Sequence, residues 1–266
     1  MNITPRQHEI VDRAKRGGFL NIEELAVLFG VTPQTIRRDI NLLCDANLLR
    51  RRRGGAEYLE APRVNLPYES RRIIHPAAKE AIGAHVAGLI PNGASVSFGI
   101  GTTPEFVALA MRGHEDLTVI TNNLNVAMAL SGQPSNRIVL PGGAVRLPDR
   151  DFLGPQVEAM YRDYRVDFGI FGVAGIEPDG TLLDFDRAEV LARQAMRESC
   201  RRSILVADVS KLGRPAPARG GRLEEADLLV LDAPPPPAFA ALFAEEGIRS
   251  RLHIAQTGAD GTGGAA

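Results

Sequence analysis

From residue 77 onward, stretches with helical spacing of apolar residues alternate with short, mostly apolar runs of four or five residues. Such short runs between turn residues are typical of strands. The predicted strands are 94–98, 117–120, 137–140, 167–171, 203–207 and 228–231, and the predicted helices are 79–89, 104–111, 124–130, 156–161 and 187–201. Strands separated by helices pair in parallel. We therefore predict an α/β domain with a mostly parallel sheet and helices on both faces.

Small and polar residues follow several of these predicted strands. Parallel sheets bind ligands beyond the carboxyl ends of their strands, and a glycine turn that leads into a helix N-terminus favours phosphate. The sequence therefore predicts a site for a small phosphorylated polyol or sugar. The predicted effector-binding residues are Gly101, Thr102, Thr103, Thr121, Asn122, Asn123, Gly142, Gly143, Asp186 and Lys211. Structural alternatives stay open: a plain turn at 101–103, a helix cap at 122–123, and a solvated surface charge at Lys211.

The first 45 residues contain three helix-start signals. Thr4-Pro5-Arg6-Gln7 is typical of a capping box with proline at the first helical position. Asn21 and Thr32 can cap a second and a third helix, while Gly17-Gly18 and Gly30 suit helix ends. In the third helix Ile36, Ile40 and Leu43 recur at helical spacing and should be buried together. This order of elements predicts a helix-turn-helix.

The opposite face of the third helix and the basic run after it suit DNA. Gln, Arg and Asn side chains read base edges, while Thr and Arg hold phosphates. The run 50–53 is four arginines, and Gly54-Gly55 follows it, which is typical of the wing of a winged helix. Strand alternation points Arg51 and Arg53 one way and Arg50 and Arg52 the other. The predicted DNA-binding residues are Thr32, Gln34, Thr35, Arg37, Arg38, Asn41, Arg51, Arg52 and Arg53.

Asp39 is an acid within this basic helix, and we expect it to orient a neighbouring arginine rather than touch DNA. An arginine-bearing helix taken alone is also compatible with an ordinary solvated face. Charge supports the DNA interpretation, because residues 1–56 carry a net +4 (ten basic, six acidic) and the rest carries −5 (21 basic, 26 acidic).

Composition suggests a cytoplasmic protein without metal or cofactor. Only Cys44 and Cys200 are present, both predicted to pack in helices, and no Cys/His cluster has metal-ligand spacing. No apolar run is long enough for a membrane span or a signal peptide. The predicted division is a winged helix-turn-helix at 1–57, a linker at 58–76, a sensing domain at 77–256 and a flexible Gly/Ala tail at 257–266.

Thr32-Pro33-Gln34-Thr35-Ile36-Arg37-Arg38-Asp39-Ile40 and Arg51-Arg52-Arg53-Gly54-Gly55-Ala56 resemble the signature of DeoR-type bacterial repressors. The family usually has His where this chain has Arg53. The second half resembles the family's effector domain, which is related to ribose-5-phosphate isomerase. The resemblance implies a repressor that binds double-stranded operator DNA as a dimer or tetramer. Family members commonly have an aspartate at the position of Gly99.

Several stretches are similar to the branch of the family that responds to glycerol-3-phosphate, so the resemblance implies that compound as the inducer. These stretches are 100–105, 121–127, 167–170, 183–186 and 232–236.

Parts of the sequence are compatible with two other functions. Asp184, Asp186, Glu189 and Lys211 could serve a sugar-phosphate isomerase, because a carboxylate near a phosphate site can abstract a proton beside a carbonyl. An isomerase has no use for a capped recognition helix and a basic wing, so we expect no enzyme activity. An RNA-binding switch is disfavoured because the chain lacks an aromatic stacking platform.

Overall fold

A computed structural model of the protein describes residues 4–45, 48–58 and 65–255, apart from the Lys15 side chain. The chain divides into two compact units, Met1–Ile74 and His75–Ala266. The predicted tail at 257–266 and residues 59–64 of the predicted linker lie outside the described residues.

The first unit is a winged helix. Its elements are α1 (Pro5–Gly17), β1 (Phe19–Asn21), α2 (Ile22–Phe29), α3 (Pro33–Asp45), β2 (Leu49–Arg52), β3 (Gly55–Tyr58) and α4 (Tyr68–Ile73). The three strands form an antiparallel sheet in the order β1-β3-β2. Ile36, Ile40 and Leu43 of α3 are buried in its core, as the helical spacing predicts.

The predicted helix caps of this unit are confirmed. Thr4 Oγ1 accepts from the Gln7 amide at 3.3 Å while Gln7 Oε1 accepts from the Thr4 amide at 3.0 Å, which completes a capping box. Asn21 caps α2, and Gly30 ends it in the left-handed conformation. Thr32 Oγ1 accepts from the Thr35 amide at 3.2 Å. Strand β1 was not predicted from the sequence.

The second unit contains a seven-stranded sheet whose pairs are all parallel, in the order β13-β12-β10-β7-β4-β5-β6. Its strands are β4 (Ser95–Phe98), β5 (Thr118–Thr121), β6 (Arg137–Val139), β7 (Val166–Phe171), β10 (Cys200–Ala207), β12 (Leu228–Leu231) and β13 (Leu252–Ile254). The helices are α5 (Pro76–Ala87), α6 (Thr102–Ala110), α7 (Leu124–Leu130), α8 (Pro155–Arg162), α9 (Arg187–Glu198), α10 (Ala240–Ala244) and α11 (Glu246–Arg249). The predicted parallel α/β class is confirmed.

A second, antiparallel sheet of three strands was not predicted. It has the order β11-β9-β8, formed by β8 (Gly175–Ile176), β9 (Thr181–Asp184) and β11 (Ala218–Arg222). The predicted helix 187–201 was too long, because β10 pairs with β7 from Cys200 onward. Cys200 is therefore a strand residue, and its predicted place in a helix was wrong.

Strand order brings the ends of non-consecutive segments together. Because β4 lies between β5 and β7, the chain after Phe98, Thr121 and Phe171 emerges at one edge of the sheet. Helix α6 begins at Thr102, two residues before the predicted start, so Thr102 and Thr103 lie in its first turn. Within the described residues, no helix has the length and apolarity needed to cross a bilayer.

Candidate nucleic-acid interface and effector cavity

The polar face of α3 is exposed above a buried apolar face. Gln34, Arg37, Arg38 and Asn41 are exposed, whereas Ile36 is fully buried. The buried face fixes the helix on the unit, so the exposed side chains project from a rigid support. The arrangement suits an element that enters a major groove.

The wing arginines divide between two faces, as strand alternation predicts. Arg51 donates to Asn41 Oδ1 of α3, so this arginine connects the wing to the polar face of the helix. Arg50 and Arg52 bind Glu57 of the neighbouring strand instead. Arg50 Nε lies 2.6 Å and Arg52 Nε 2.9 Å from the Glu57 carboxylate. The hydrogen bonds from Arg52 and Arg50 lower the pKa of Glu57.

Acidic groups also position arginines elsewhere in this unit. Asp39 is buried and accepts from Arg6 Nε at 2.7 Å and from Gln7 Nε2 at 2.6 Å. The expectation that Asp39 orients a neighbouring arginine is thus confirmed, and that arginine comes from α1. Arg37, on the exposed face, donates to Glu23 of α2 at 3.1 Å.

Two of the predicted DNA-binding cations lack such partners. In the parts of the chain that the structure describes, Arg38 and Arg53 have neither an ion pair nor a side-chain hydrogen bond. Among the same residues, their guanidinium groups therefore have no internal competitor for DNA.

A cavity of about 300 Å³, which includes its opening to solvent, lies at the carboxyl edge of the parallel sheet. Its lining combines the ends of β4, β5 and β7 with residues of β9, α8 and α9. The lining residues are Gly99, Ile100, Asn122, Tyr161, Phe171, Gly172, Asp184, Glu189, Ala192 and Arg193. The cavity thus has one wall of strand ends and another that carries charge.

Asp184 and Arg193 form a buried ion pair in the charged wall. Arg193 Nε and one of its terminal nitrogens lie 3.1 and 2.9 Å from Asp184 Oδ2, and the same terminal nitrogen donates to the Gly220 carbonyl at 2.6 Å. The Ala174 amide donates to the other carboxylate oxygen at 3.2 Å. Burial raises the pKa of Asp184, and Arg193 works against that shift.

Glu189 connects the cavity to the loop that follows β6. Arg146 of this loop donates to Glu189 Oε1 at 2.9 Å and makes a two-point contact with Asp151 at 2.9 and 2.8 Å. Burial disfavours the charge of Arg146, but these hydrogen bonds outweigh it and raise the pKa of the guanidinium. A wall residue of the cavity therefore holds the loop in place.

Of the predicted effector-binding residues, Asn122 alone is a lining residue of this cavity. Its amide group donates to the Phe152 carbonyl at 2.8 Å and accepts from the Tyr161 hydroxyl at 2.7 Å. Burial raises the pKa of Tyr161, so its hydroxyl stays protonated as a donor. Thr121 donates to the Phe98 carbonyl at 2.9 Å, and Asn123 Oδ1 caps α7 through the Asn125 amide at 3.0 Å.

The predicted 101–103 segment adjoins the cavity in sequence, directly after the lining residues Gly99 and Ile100. Gly101 has φ of 114° and precedes α6 without a side-chain cap. The first amides of a helix have no intrahelical partner, so those of Thr102 and Thr103 point out of the helix end. Both threonine residues are buried, each 5% exposed.

The remaining predicted effector residues are not in the cavity lining. Gly142 and Gly143 are exposed in the loop after β6. Asp186 is exposed and caps α9, accepting from the Ala188 amide at 2.8 Å. Lys211 lies near the buried Asp208. Burial works to raise the pKa of Asp208, but Lys211 and the Ser210 hydroxyl lower it overall.

The sequence interpretation omitted several cavity residues. From the sequence, Asp184 and Glu189 are predicted only as acids that an isomerase could use, and Arg193 and Tyr161 are not among the predicted site residues. The signal for Arg193 is weak, since one arginine on an amphipathic helix resembles any solvated charge. Among the described residues, no three His, Cys, Asp or Glu side chains converge to hold a metal ion.

Comparison with known proteins gives matches over both units. Residues 6–61 match the "DeoR-like helix-turn-helix domain" and residues 74–233 match the "DeoR C terminal sensor domain". The glycerol-3-phosphate regulon repressor of Escherichia coli K12 is 41% identical over 252 residues, covering 95% of this chain and 100% of that protein. The repressor of the same name from Haemophilus influenzae is 43% identical, covering 84% of this chain and 87% of that protein.

A solved structure, ribose 5-phosphate isomerase A from Methanocaldococcus jannaschii, is 14% identical with a TM-score of 0.38, covering 51% of this chain and 54% of that one. The family matches and the repressors at 41–43% identity carry the assignment, and they agree with the resemblance seen in the sequence. The chain belongs to the DeoR family of transcriptional repressors.

Proposed function

We propose that this protein represses genes of glycerol or carbohydrate catabolism by binding operator DNA, and that glycerol-3-phosphate releases it. The observation that carries the DNA half is the exposed polar face of α3 above its buried Ile36 face. The names of the repressors from Escherichia coli and Haemophilus influenzae support the choice of effector. Acting on chromosomal DNA, the protein works in the cytoplasm.

In the proposed DNA complex, α3 enters the major groove and the wing follows the backbone. Gln34, Thr35, Arg37, Arg38 and Asn41 face the bases and flanking phosphates, Thr32 lies at the helix start, and Arg51, Arg52 and Arg53 hold the backbone. Arg37 exchanges its hydrogen bond to Glu23 for a contact with DNA in this complex. A twofold operator requires two copies, so the active form is a homodimer or a tetramer.

In the proposed effector complex, the phosphoryl group binds at the N-terminus of α6. Gly101 lets the backbone approach closely, the first-turn amides of Thr102 and Thr103 and the Thr102 hydroxyl donate to the phosphoryl group, and Lys211 supplies charge. Thr121, Asn122 and Asn123 support this edge through the contacts described above, and Gly142, Gly143 and Asp186 lie on loops around it. The hydroxylated part of the effector extends into the cavity beside Asp184 and Glu189.

We propose no enzymatic role for the two carboxylates of the cavity. Asp184 is bound by Arg193 and Glu189 by Arg146, and glycerol-3-phosphate has no carbonyl group beside which a general base could abstract a proton. Incubation with pentose and hexose phosphates should produce no isomer, and measurable turnover would contradict this assignment.

The experiment that tests the proposal starts from the full chain and a random pool of DNA duplexes. Several rounds of selection should enrich a palindromic sequence, and anisotropy of the labelled duplex then reports binding. Glycerol-3-phosphate should release the duplex, whereas glycerol and inorganic phosphate, the matched halves of the ligand, should not. Failure to enrich any sequence would overturn the DNA half, and enrichment without release would overturn the effector half.

A further inference from the structure

The wing carries its own competitor for DNA. Glu57 of β3 lies opposite Arg50 of β2 in the register of the hairpin, and its two carboxylate oxygens are divided between Arg50 and Arg52. The Arg50 side chain is 58% and the Arg52 side chain 53% exposed, against 22% for Glu57. The carboxylate is therefore partly covered by the two guanidinium groups that hold it.

This contact resembles the one that a DNA phosphate makes. A carboxylate and a phosphate both offer two oxygens to the fork of a guanidinium group, and both prefer arginine for that reason. An arginine that binds Glu57 must break those hydrogen bonds before it binds phosphate. Of the cations on the wing, Arg53 has no such competitor within the described residues.

We propose that Glu57 is an intramolecular phosphate mimic that holds Arg50 and Arg52 away from non-operator DNA and so lowers the sequence-independent affinity of the wing. The inference rests on the proposed DNA-binding function. It adds Glu57 to the residues that control DNA affinity, although Glu57 itself contacts neither a base nor a phosphate. Sequence-independent binding depends almost entirely on neutralising phosphates, so it is the quantity that this contact controls. The consequence is shorter retention on the large excess of non-operator sequence.

A positioning role for Glu57 predicts the opposite change in DNA affinity. If Glu57 served to aim Arg52 at a phosphate, its removal would release the side chain into many conformations and weaken binding. As a competitor, Glu57 strengthens binding when it is removed. The direction of the change therefore separates the two roles without knowledge of the operator.

The test uses the full chain, a labelled duplex without an operator, and salt between about 50 and 200 mM. Glu57→Gln should bind this duplex roughly fivefold more tightly per wing, the upper limit for releasing an arginine from an exposed ion pair. Its log–log salt slope should steepen by about 0.9 for each phosphate gained. Glu9→Gln is the matched control, because Glu9 also pairs with an exposed arginine of the same unit, Arg13 at 2.8 Å, and carries the same charge. It should change affinity by less than about twofold, because Glu9 holds an arginine of its own helix rather than a wing arginine and salt screens exposed charges.

A double-mutant comparison identifies the arginine involved. Arg52→Gln should have little effect in the wild-type background, where Glu57 occupies Arg52, and a larger effect in the Glu57→Gln background. Circular dichroism of each variant checks that the hairpin still forms. Equal gains for Glu57→Gln and Glu9→Gln, a loss of affinity in Glu57→Gln, or an equal effect of Arg52→Gln in both backgrounds would each overturn the inference. Absence of wild-type binding to any duplex would instead overturn the proposed function.

Discussion

Gly55 is the position at which the smallest substitution should do the most damage to the DNA-binding unit. A Cβ atom added there would lie 1.8 Å from the Leu20 carbonyl oxygen and 2.9 Å from the Leu20 carbonyl carbon. Contacts below 3.0 Å do not occur for real Cβ atoms, and the atoms in the way are backbone. Strand β1 must therefore retreat from β3 by more than an ångström in Gly55→Ala.

The size of the destabilisation in Gly55→Ala follows from the contacts that are lost when β1 moves away from β3. Overpacking in a rigid site costs about 1–3 kcal/mol, and no change of rotamer relieves a clash with a carbonyl group. The pairing of β1 with β3 through Asn21 and Gly55 is lost at the same point. We therefore expect Gly55→Ala to destabilise the hairpin by about 3 kcal/mol, at the upper end of that range.

Hydrogen exchange measured by mass spectrometry on the full chain suits this prediction, because it reports the opening of one segment. A loss of about 3 kcal/mol corresponds to roughly a hundredfold faster exchange in peptides that contain β3. DNA affinity should fall as well, since the wing arginines precede Gly55 on the same hairpin. Gly17→Ala is the control, because a Cβ at Gly17 meets nothing within 4 Å. Unchanged exchange in β3 and unchanged DNA affinity in Gly55→Ala would refute the reasoning.

Three further outcomes can be measured. Thr102→Ala should weaken glycerol-3-phosphate binding by roughly tenfold, because it removes one hydrogen bond to a charged group, and it should leave DNA affinity unchanged. Calorimetry measures the effector affinity, and anisotropy measures the DNA affinity. Arg193→Ala should lower the free energy of unfolding, measured with urea, by about 3–5 kcal/mol, because it leaves Asp184 buried without its cation. Arg201 is the control: its side chain is 66% exposed, and Arg201→Ala should change the free energy of unfolding by less than about 0.5 kcal/mol. Hydrogen bonds from Ser95 lower the pKa of Asp167. The ionised carboxylate therefore stabilises the fold above its unfolded pKa of about 3.9, and this stabilisation is lost as the pH falls through the lower pKa of the folded protein. The difference in free energy of unfolding between wild type and Asp167→Asn should be largest at neutral pH and should disappear in acid.

Local signals in the sequence were sufficient for the first three helices and the wing of the DNA-binding unit. Capping by Thr4, Asn21 and Thr32 depends on residues within a few positions of one another, and such pairs can be recognised without knowledge of the fold. The buried face of α3 follows from spacing alone. Strand β1 was missed because it is three residues long and forms only through its pairing with β3, which is distant in sequence.

Long-range packing limited the prediction of the cavity. Strand β9 gives no alternating pattern, since all four of its residues are buried, and its Asp184 enters the cavity only because α9 and β11 pack around it. The sequence favoured Asp186, two residues later, which instead caps α9. A carboxylate near the start of a helix can either cap that helix or line the cavity, and the tertiary packing determines which role it has.

The contacts around the cavity restrict how an effector can act on DNA binding. A ligand shifts an equilibrium only through a contact whose free energy differs between the two states. Asn122 and Thr121 are fully buried and already bonded within the sheet edge, so they can hold a ligand in one geometry but offer little to change. The contact between Glu189 and Arg146 differs in kind, because it joins a wall of the cavity to a loop that also carries the 77% exposed side chain of Leu147. In the proposed effector complex, a hydroxyl group that donates to Glu189 competes with Arg146 for that carboxylate. We therefore expect effector binding to loosen the loop that carries Arg146.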